Sequence, residues 1–389
     1  MSAPEVYHQV RKLIGAHIDS QVDESTLERM VLLVTGMIGA KSSSPAQVAK
    51  ALHRMKLTGA SAESLERRIR RLENDPEMDV SLCFHPFARA HLRYGRAQEL
   101  LLILDPTMQE DRLVMVSVAV WYRGRALPLA WAIWPGNTPL EGEGFWKRIE
   151  RLLDEVVLLL PVRVQITWMA DRAFGCPVFI DMLAARNWHY VIRVQGQTMC
   201  RDRKGRERSV QSLVPYRGQR AKMQGQAFKK NGWRAVSVVV LWGKRYAKPL
   251  CLVSDLKLGW TLLQLYRRRY PIEAKFRDYK SGGWRWEQGQ VTDLAHVQRL
   301  LVAMALATWL VLMVGAWRAQ QILSIPPTGK RHTLPWDGKI SLFQHGLEQL
   351  LTWLGNVSLP RFIWRLTDWS APNWRTQILA HHGRNYVFA

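Results

Sequence analysis

Two short stretches, Glu99-Leu100-Leu101-Leu102-Ile103-Leu104-Asp105 and Ile166-Thr167-Trp168-Met169-Ala170-Asp171, share one design: an apolar run closed by an aspartate. Apolar runs of this length bounded by turn residues read as buried strands. A strand end is a rigid mount that holds a carboxylate within a small tolerance. Outward from these runs, residues 113–121 and 126–134 are also apolar. The sequence Tyr122-Arg123-Gly124-Arg125 joins them with a hairpin signal. Residues 143–153 read as a helix, 162–170 as the strand that ends at Asp171, 177–186 as a helix and 189–194 as a strand.

Three strands, helix, strand, helix, strand is the order of a ribonuclease-H-like core, an α/β fold with a mixed sheet and helices on its faces. In such a sheet the strands ending at Asp105 and Asp171 are neighbours, so both carboxylates point into one cleft. Converging carboxylates repel unless a cation sits between them. Hard cations such as Mg²⁺, with Mn²⁺ as a substitute, prefer oxygen ligands and leave positions open for phosphate and water. Two such ions, roughly 3.5–4 Å apart, serve phosphoryl transfer. Taken singly, each aspartate also reads as an ordinary turn or cap residue.

The flanking segments differ in texture. Residues 1–95 are polar and helical in pattern, with apolar spacing of three and four over 6–18 and 25–38. Ser44 followed by Pro45 opens a helix. A turn containing Gly59 then leads to a second helix carrying Arg67, Arg68, Arg70 and Arg71. That outline is a helix-turn-helix DNA reader, although helical pairs without DNA binding share it. Residues 196–232 are polar and strongly basic, and 235–242 and 249–253 are again strands. The expected division is a helical DNA-binding domain over 1–95, the core in two parts over 96–195 and 256–320, a β-rich insertion over 196–255, and a C-terminal region over 321–389 for dimerisation or DNA contact. Residues 326–338 read as a loop and 342–354 as an amphipathic helix. The uncharged run 300–317, LLVAMALATWLVLMVGAW, just reaches membrane-spanning length, but it stands alone after a dense polar motif and reads as a buried core helix.

Composition points to the partner. Lys and Arg number 55 against 32 Asp and Glu over 389 residues, a formal charge of +23. Such an excess on a folded chain argues for a polyanion, nucleic acid before an anionic membrane. The four cysteines, Cys83, Cys176, Cys200 and Cys251, share no metal-ligand spacing and read as reduced cytosolic thiols. The opening MSAPEVYHQVRK has no apolar signal region. The 18 tryptophans are mostly core, though aromatics beside arginine also stack on unpaired bases.

The third acid lies in YRRRYPIEAKFRDYK, residues 266–280, where Tyr266, Arg269, Glu273 and Lys280 have the spacing Y-x2-R-x3-E-x6-K. On one continuous helix Arg269, Glu273 and Lys280 share a face, an acid between two cations. An ordinary ion pair on a solvated face would not place Tyr266 in that register, nor explain the dense Trp284-Arg285-Trp286 that follows.

With these residues in hand, the stretch 99–317 resembles the IS4-type DDE transposases of bacteria. The matching features are Asp105 after its strand, Asp171-Arg172-x-Phe174, the Tyr-Arg-Glu-Lys motif, and the strand-rich insertion before Glu273. The resemblance implies an enzyme with Asp105, Asp171 and Glu273 as catalytic metal ligands for two Mg²⁺ ions. It implies double-stranded DNA partners, namely the terminal inverted repeats and a target, a homodimeric synapse, no membrane, and cut-and-paste transposition through a DNA hairpin in the bacterial cytoplasm. It also implies that Tyr266, Arg269 and Lys280 hold terminal phosphates and a flipped base, with Arg172 nearby and Trp233 or Trp242 assisting base extrusion. Two other readings use the same residues. A nuclease or resolvase without strand transfer needs the acids but not the Tyr-Arg-Lys frame. A transposase-derived regulator binds ends without cutting, and the presence of all three acids disfavours it.

Overall fold

A computed structural model describes residues 3–95, 97–136, 144–289, 291, 293–324, 341–355, 364–366, 369, 373, 374, 376 and 377. The expected loop over 326–338 lies outside them, as does most of the C-terminal region beyond 355.

Six helices come first: α1 (Ala3–Gly15), α2 (Glu24–Ala40), α3 (Pro45–Arg54), α4 (Ala62–Glu73), α5 (Val80–Cys83) and α6 (His85–Tyr94). Ser61 caps α4 by accepting from the Ser64 amide at 3.2 Å. At α3 the expected cap is different: Ser44 makes no side-chain cap bond and Pro45 alone opens the helix.

The strands β1 (Glu99–Gln109), β2 (Leu113–Tyr122) and β3 (Arg125–Pro135) follow as antiparallel neighbours. Arg123 (φ 48°) and Gly124 (φ 93°) make the two-residue turn between β2 and β3. Left-handed backbone at both turn positions matches the twist of a hairpin, and glycine adopts it without a Cβ clash. Then come α7 (Phe145–Leu159), β4 (Gln165–Ala170), α8 (Pro177–Ala184) and β5 (His189–Arg193). β4 runs parallel to both β1 and β5.

The basic segment contains more strand than its composition suggests. β6 (Met199–Asp202), β7 (Glu207–Ser209), β8 (Arg220–Ala227), β9 (Arg234–Leu241) and β10 (Leu250–Ser254) extend the same sheet. Its ten strands are ordered β3-β2-β1-β4-β5-β10-β9-β8-β6-β7. Register carries one level across it. Asp171, just past β4, stands level with Asp105 on β1 and Arg193 on β5, and the level continues through Leu252, Val239 and Lys222.

Four helices follow among the described residues: α9 (Thr261–Arg267), α10 (Pro271–Arg277), α11 (Leu294–Ser324) and α12 (Leu342–Leu354). The run 300–317 lies inside α11, which is buried against β3, α2, α4, α5 and α12. α11 is the one described helix long and apolar enough to cross a membrane, and it is a core helix here. Burying each of its Leu, Val or Met side chains stabilises by about 1.5–3 kcal/mol. A Cβ on Gly346 would stand 1.9 Å from the Val311 carbonyl oxygen, and one on Gly315 2.2 Å from that of Leu342. The crossing of α11 and α12 therefore requires glycine on both sides.

Candidate active site

Asp105 does not end its strand as the apolar run implies: it lies midway along β1, because residues 106–109 go on pairing with β2, and it is 8% exposed opposite Ser117. Asp171 follows the last residue of β4 and precedes a 3-10 turn, Arg172–Phe174, that anchors Phe174 in the core and leaves Arg172 exposed. Glu273 sits exposed in the first turn of α10. Asp171 stands level with Asp105 on the neighbouring strand, and Arg269 links Asp105 to Glu273. Burial pushes the Asp105 carboxyl up to about 6; Arg269 opposes this, and the charges of Asp171 and Glu273 each add to it.

The 266–280 stretch is not one helix. Pro271 has no amide hydrogen to donate back to the Arg267 carbonyl, and its ring crowds that carbonyl. α9 accordingly ends at Arg267 and α10 begins at Pro271. Arg269 falls in the joint. There it is buried, with Nη1 2.9 Å from Asp105 Oδ2 and Nη2 3.3 Å from Glu273 Oε1. Arg193 faces Asp171 at 3.7 Å. After α10 the backbone widens into a π-turn, Asp278–Gly282, a feature frequent at functional sites. It rotates Lys280 away from the face it would share with Glu273 on a regular helix. Lys280 Nζ instead donates to the Met108 carbonyl at 2.6 Å and lies 3.3 Å from Glu287.

Tyr266 is buried with Val191, Val239 and Leu252, and burial holds its phenol far above the ordinary range. Its hydroxyl has no hydrogen-bond partner among the described residues. Trp284 and Trp286, beside Arg285 in sequence, are core side chains, the first donating to Thr308 Oγ1 at 2.9 Å. Trp242 follows β9 at the sheet edge where Asp171 lies; its indole donates to the Tyr246 carbonyl at 2.9 Å. Trp233 precedes β9 at the opposite edge, under the guanidinium of Arg201. In α4, Arg67 and Arg70 are paired with Glu63 and Glu66, whereas Arg68 and Arg71 are exposed with no ion pair among the described residues.

Sequence reasoning missed Lys275, which has no register partner in the motif. Its buried ammonium donates to Ser117 Oγ, across the ladder from Asp105, and burial pushes it down to about 7. A charged residue in the apolar spacing of α10 was the available signal. The buried pair of Arg125 and Asp278 likewise ties the start of β3 to the π-turn.

The donor chemistry suits a hard divalent cation. Asp105 and Asp171 are level on neighbouring strands, Arg269 links Asp105 to Glu273, and Asp171 Oδ1 is buried with no hydrogen-bond partner among the described residues. These carboxylates do not form a closed cage: among the described residues no three His, Cys, Asp or Glu side chains are gathered tightly enough to hold a metal ion, and Arg269 bridges two of the acids.

Residues 147–310 match the family model of the transposase DDE domain, a span that includes Asp171 and Glu273 and excludes Asp105. No curated protein matches the chain. Among solved structures, the piggyBac transposase synaptic complex with hairpin DNA overlaps 90% of this chain and 82% of its own, at 11% identity and a TM-score of 0.39. Human ENDOV overlaps 50% of this chain and 95% of its own, at 12% identity and a TM-score of 0.27. Overlaps this loose do not establish a shared fold.

Proposed function

We propose that this protein is a DNA transposase that cuts transposon ends and joins the freed 3′-OH to target DNA by metal-dependent phosphoryl transfer. The observation that carries the reading is the placing of Asp105 level with Asp171 on neighbouring strands, with Arg269 joining Asp105 to Glu273 of α10. The transposase-domain match over 147–310 supports it. The order β3-β2-β1-β4-β5, antiparallel in its first half and parallel in its second, supports a ribonuclease-H-like core. The IS4-type grouping, the hairpin route and the homodimeric synapse belong to the same proposal and rest on the sequence motif.

The three carboxylates would hold Mg²⁺. Once bound, the metal activates the attacking oxygen and stabilises the leaving one. The chain supplies the rest. β1 and β4 fix two acids on a rigid sheet, and Lys275 on α10 bonds to Ser117 beside Asp105, which sets where Glu273 stands. Arg269 and Lys280 offer charge for phosphates at the cleft, the first as a fork and the second as a point charge.

The test is nicking of end-bearing duplex with Mg²⁺. Asp105→Ala, Asp171→Ala and Glu273→Ala each abolish cleavage and keep DNA affinity within a few-fold. A normal cleavage rate in Glu273→Ala removes the assignment. A wild type that nicks but never joins ends makes the protein a nuclease instead.

A further inference from the structure

The far end of the sheet carries a second surface that the acid cleft does not use. The turn entering β8, residues 214–219, and the turn from β9 to β10, residues 242–249, are knitted together. The Gly218 amide donates to the Trp242 carbonyl at 2.6 Å, and the Trp242 amide donates to that of Gln219 at 2.9 Å. The Lys244 stem lies against Gly218, and the Tyr246 ring against Gly243. Two tyrosines project from this tip, Tyr216 at 69% and Tyr246 at 70% exposure, among the most exposed large side chains described. Around them stand Arg217, Lys244 and Arg245, exposed and without an acidic partner among the described residues, and Arg220, also exposed, whose guanidinium lies 4.7 Å over the Trp260 ring.

Free aromatic faces cost hydration unless something stacks on them, and unpaired cations on a fixed scaffold attract phosphate. Rings interleaved with cations are the make-up of surfaces that bind single strands, because every base offers a π-face once it is unpaired. A duplex hides those faces and offers its phosphates alone. Register places the tip on the sheet edge where Asp171 and Arg193 end their strands. It stands three to four strands along, roughly 15–20 Å at about 4.8 Å per strand.

We infer that this tip binds an unpaired stretch of DNA strand leaving the acid cleft, with bases stacked on Tyr216 and Tyr246 and phosphates on the four cations. The inference rests on the transposase reading for DNA as the polyanion, and it adds a strand-holding surface outside the acid motif.

The experiment uses the full chain and fluorescein-labelled 20-mers, oligo(dT) and a duplex of equal length, read by anisotropy at one salt concentration for the affinities and over a salt series for the slopes. The double variant Tyr216→Ala/Tyr246→Ala binds oligo(dT) about tenfold more weakly or worse, with duplex affinity within twofold. Tyr216→Phe/Tyr246→Phe keeps the rings and binds like wild type. Lys244→Ala/Arg245→Ala lowers the log–log salt slope for oligo(dT) by up to about 1.4, since each lost contact to a single strand removes about 0.7. Wild-type oligo(dT) affinity in the alanine pair, an equal loss for duplex, or a phenylalanine pair as weak as the alanine pair overturns the inference. Mg²⁺-dependent nicking by the same preparations separates the two claims. Nicking with tyrosine-independent binding sinks the tip alone, whereas tyrosine-dependent binding without nicking sinks the transposase reading alone.

Discussion

Arg269 and Asp105 form an ion pair of 2.9 Å inside the cleft, and the same guanidinium reaches Glu273 at 3.3 Å. The residue expected to grip DNA phosphate is thus also the counter-ion of two acids, so Arg269 and a divalent cation compete for the same carboxylates. Arg269→Gln removes both the competitor and a like charge. The variant should bind Mn²⁺ about tenfold more tightly, equivalent to ~1.4 kcal/mol of released repulsion, a modest fraction of what adjacent charges exert near a protein surface. It should nevertheless nick more slowly. The electron paramagnetic resonance signal of free Mn²⁺, followed during protein titration, measures the affinity, and a denaturing gel measures the nick. Weaker Mn²⁺ binding in the variant would mean that Arg269 organises the acids instead.

Lys280 is held by the Met108 carbonyl, three residues beyond Asp105 on β1, which places its charge on the rim of the cleft. Lys280→Ala is therefore expected to slow hairpin formation and end joining more than the first nick. A charge-assisted bond to phosphate contributes about 1.5–3 kcal/mol, comparable to the cost of unstacking one base. Intact and pre-nicked substrates compared on a denaturing gel resolve the steps. Equal slowing of all steps assigns Lys280 to general binding.

In α4 the four arginines are not equivalent. Arg67 and Arg70 already neutralise Glu63 and Glu66, and Arg68 and Arg71 do not share those pairs. Replacing Arg68 and Arg71 together by alanine should lower the log–log salt slope of end-DNA binding by up to about 1.8, at ~0.9 per duplex phosphate contact. The Arg67 and Arg70 pair should lower it less. The full chain is the right material, because α2, α4 and α5 pack on α11. An unchanged slope in the Arg68/Arg71 variant removes α4 from the DNA interface.

His91 is buried among Phe87, Trp309 and His17, and burial pushes its imidazole down to about 4 from an ordinary 6.5. Between those values the unfolded chain binds the proton and the folded chain does not. Stability therefore falls as pH drops from 6.5 toward 4. From pH 7 to pH 5 this group should remove about 2 kcal/mol. His91→Leu loses the Nδ1 contact to the Phe87 carbonyl at 2.8 Å, so it starts less stable, but it lacks this acid loss. Urea midpoints at the two pH values should thus converge by about that amount. Parallel curves for wild type and variant would place the acid sensitivity elsewhere.

Much of the fold was legible because apolar periodicity is a local property. The runs at β1, β2, β3 and β4, the Arg123-Gly124 turn and the buried character of α11 follow from residue order alone, and so do the strand-end position of Asp171 and the spacing from Tyr266 to Lys280; the continuation of β1 past Asp105 to Gln109 does not, because it depends on pairing with β2. β8 was the harder case: Arg220-Ala221-Lys222-Met223 does alternate, but its outward face is so basic that composition masks the period of two. Three features depended on parts of the chain that meet only in space. Pairing of β10 with β5 turned a compositional insertion into a continuation of the core sheet, a matter of which edge had free backbone groups. Pro271 and the π-turn broke the helix that spacing implied, which sent Tyr266 into the apolar cluster and Lys280 to the Met108 carbonyl. The position of Arg269 between Asp105 and Glu273 came from the packing of α10 against β1 and β3. Which charges are present is a matter of residue order; only the tertiary structure decided which of them face one another, because that depends on strands far apart in the chain arriving at one level of the sheet.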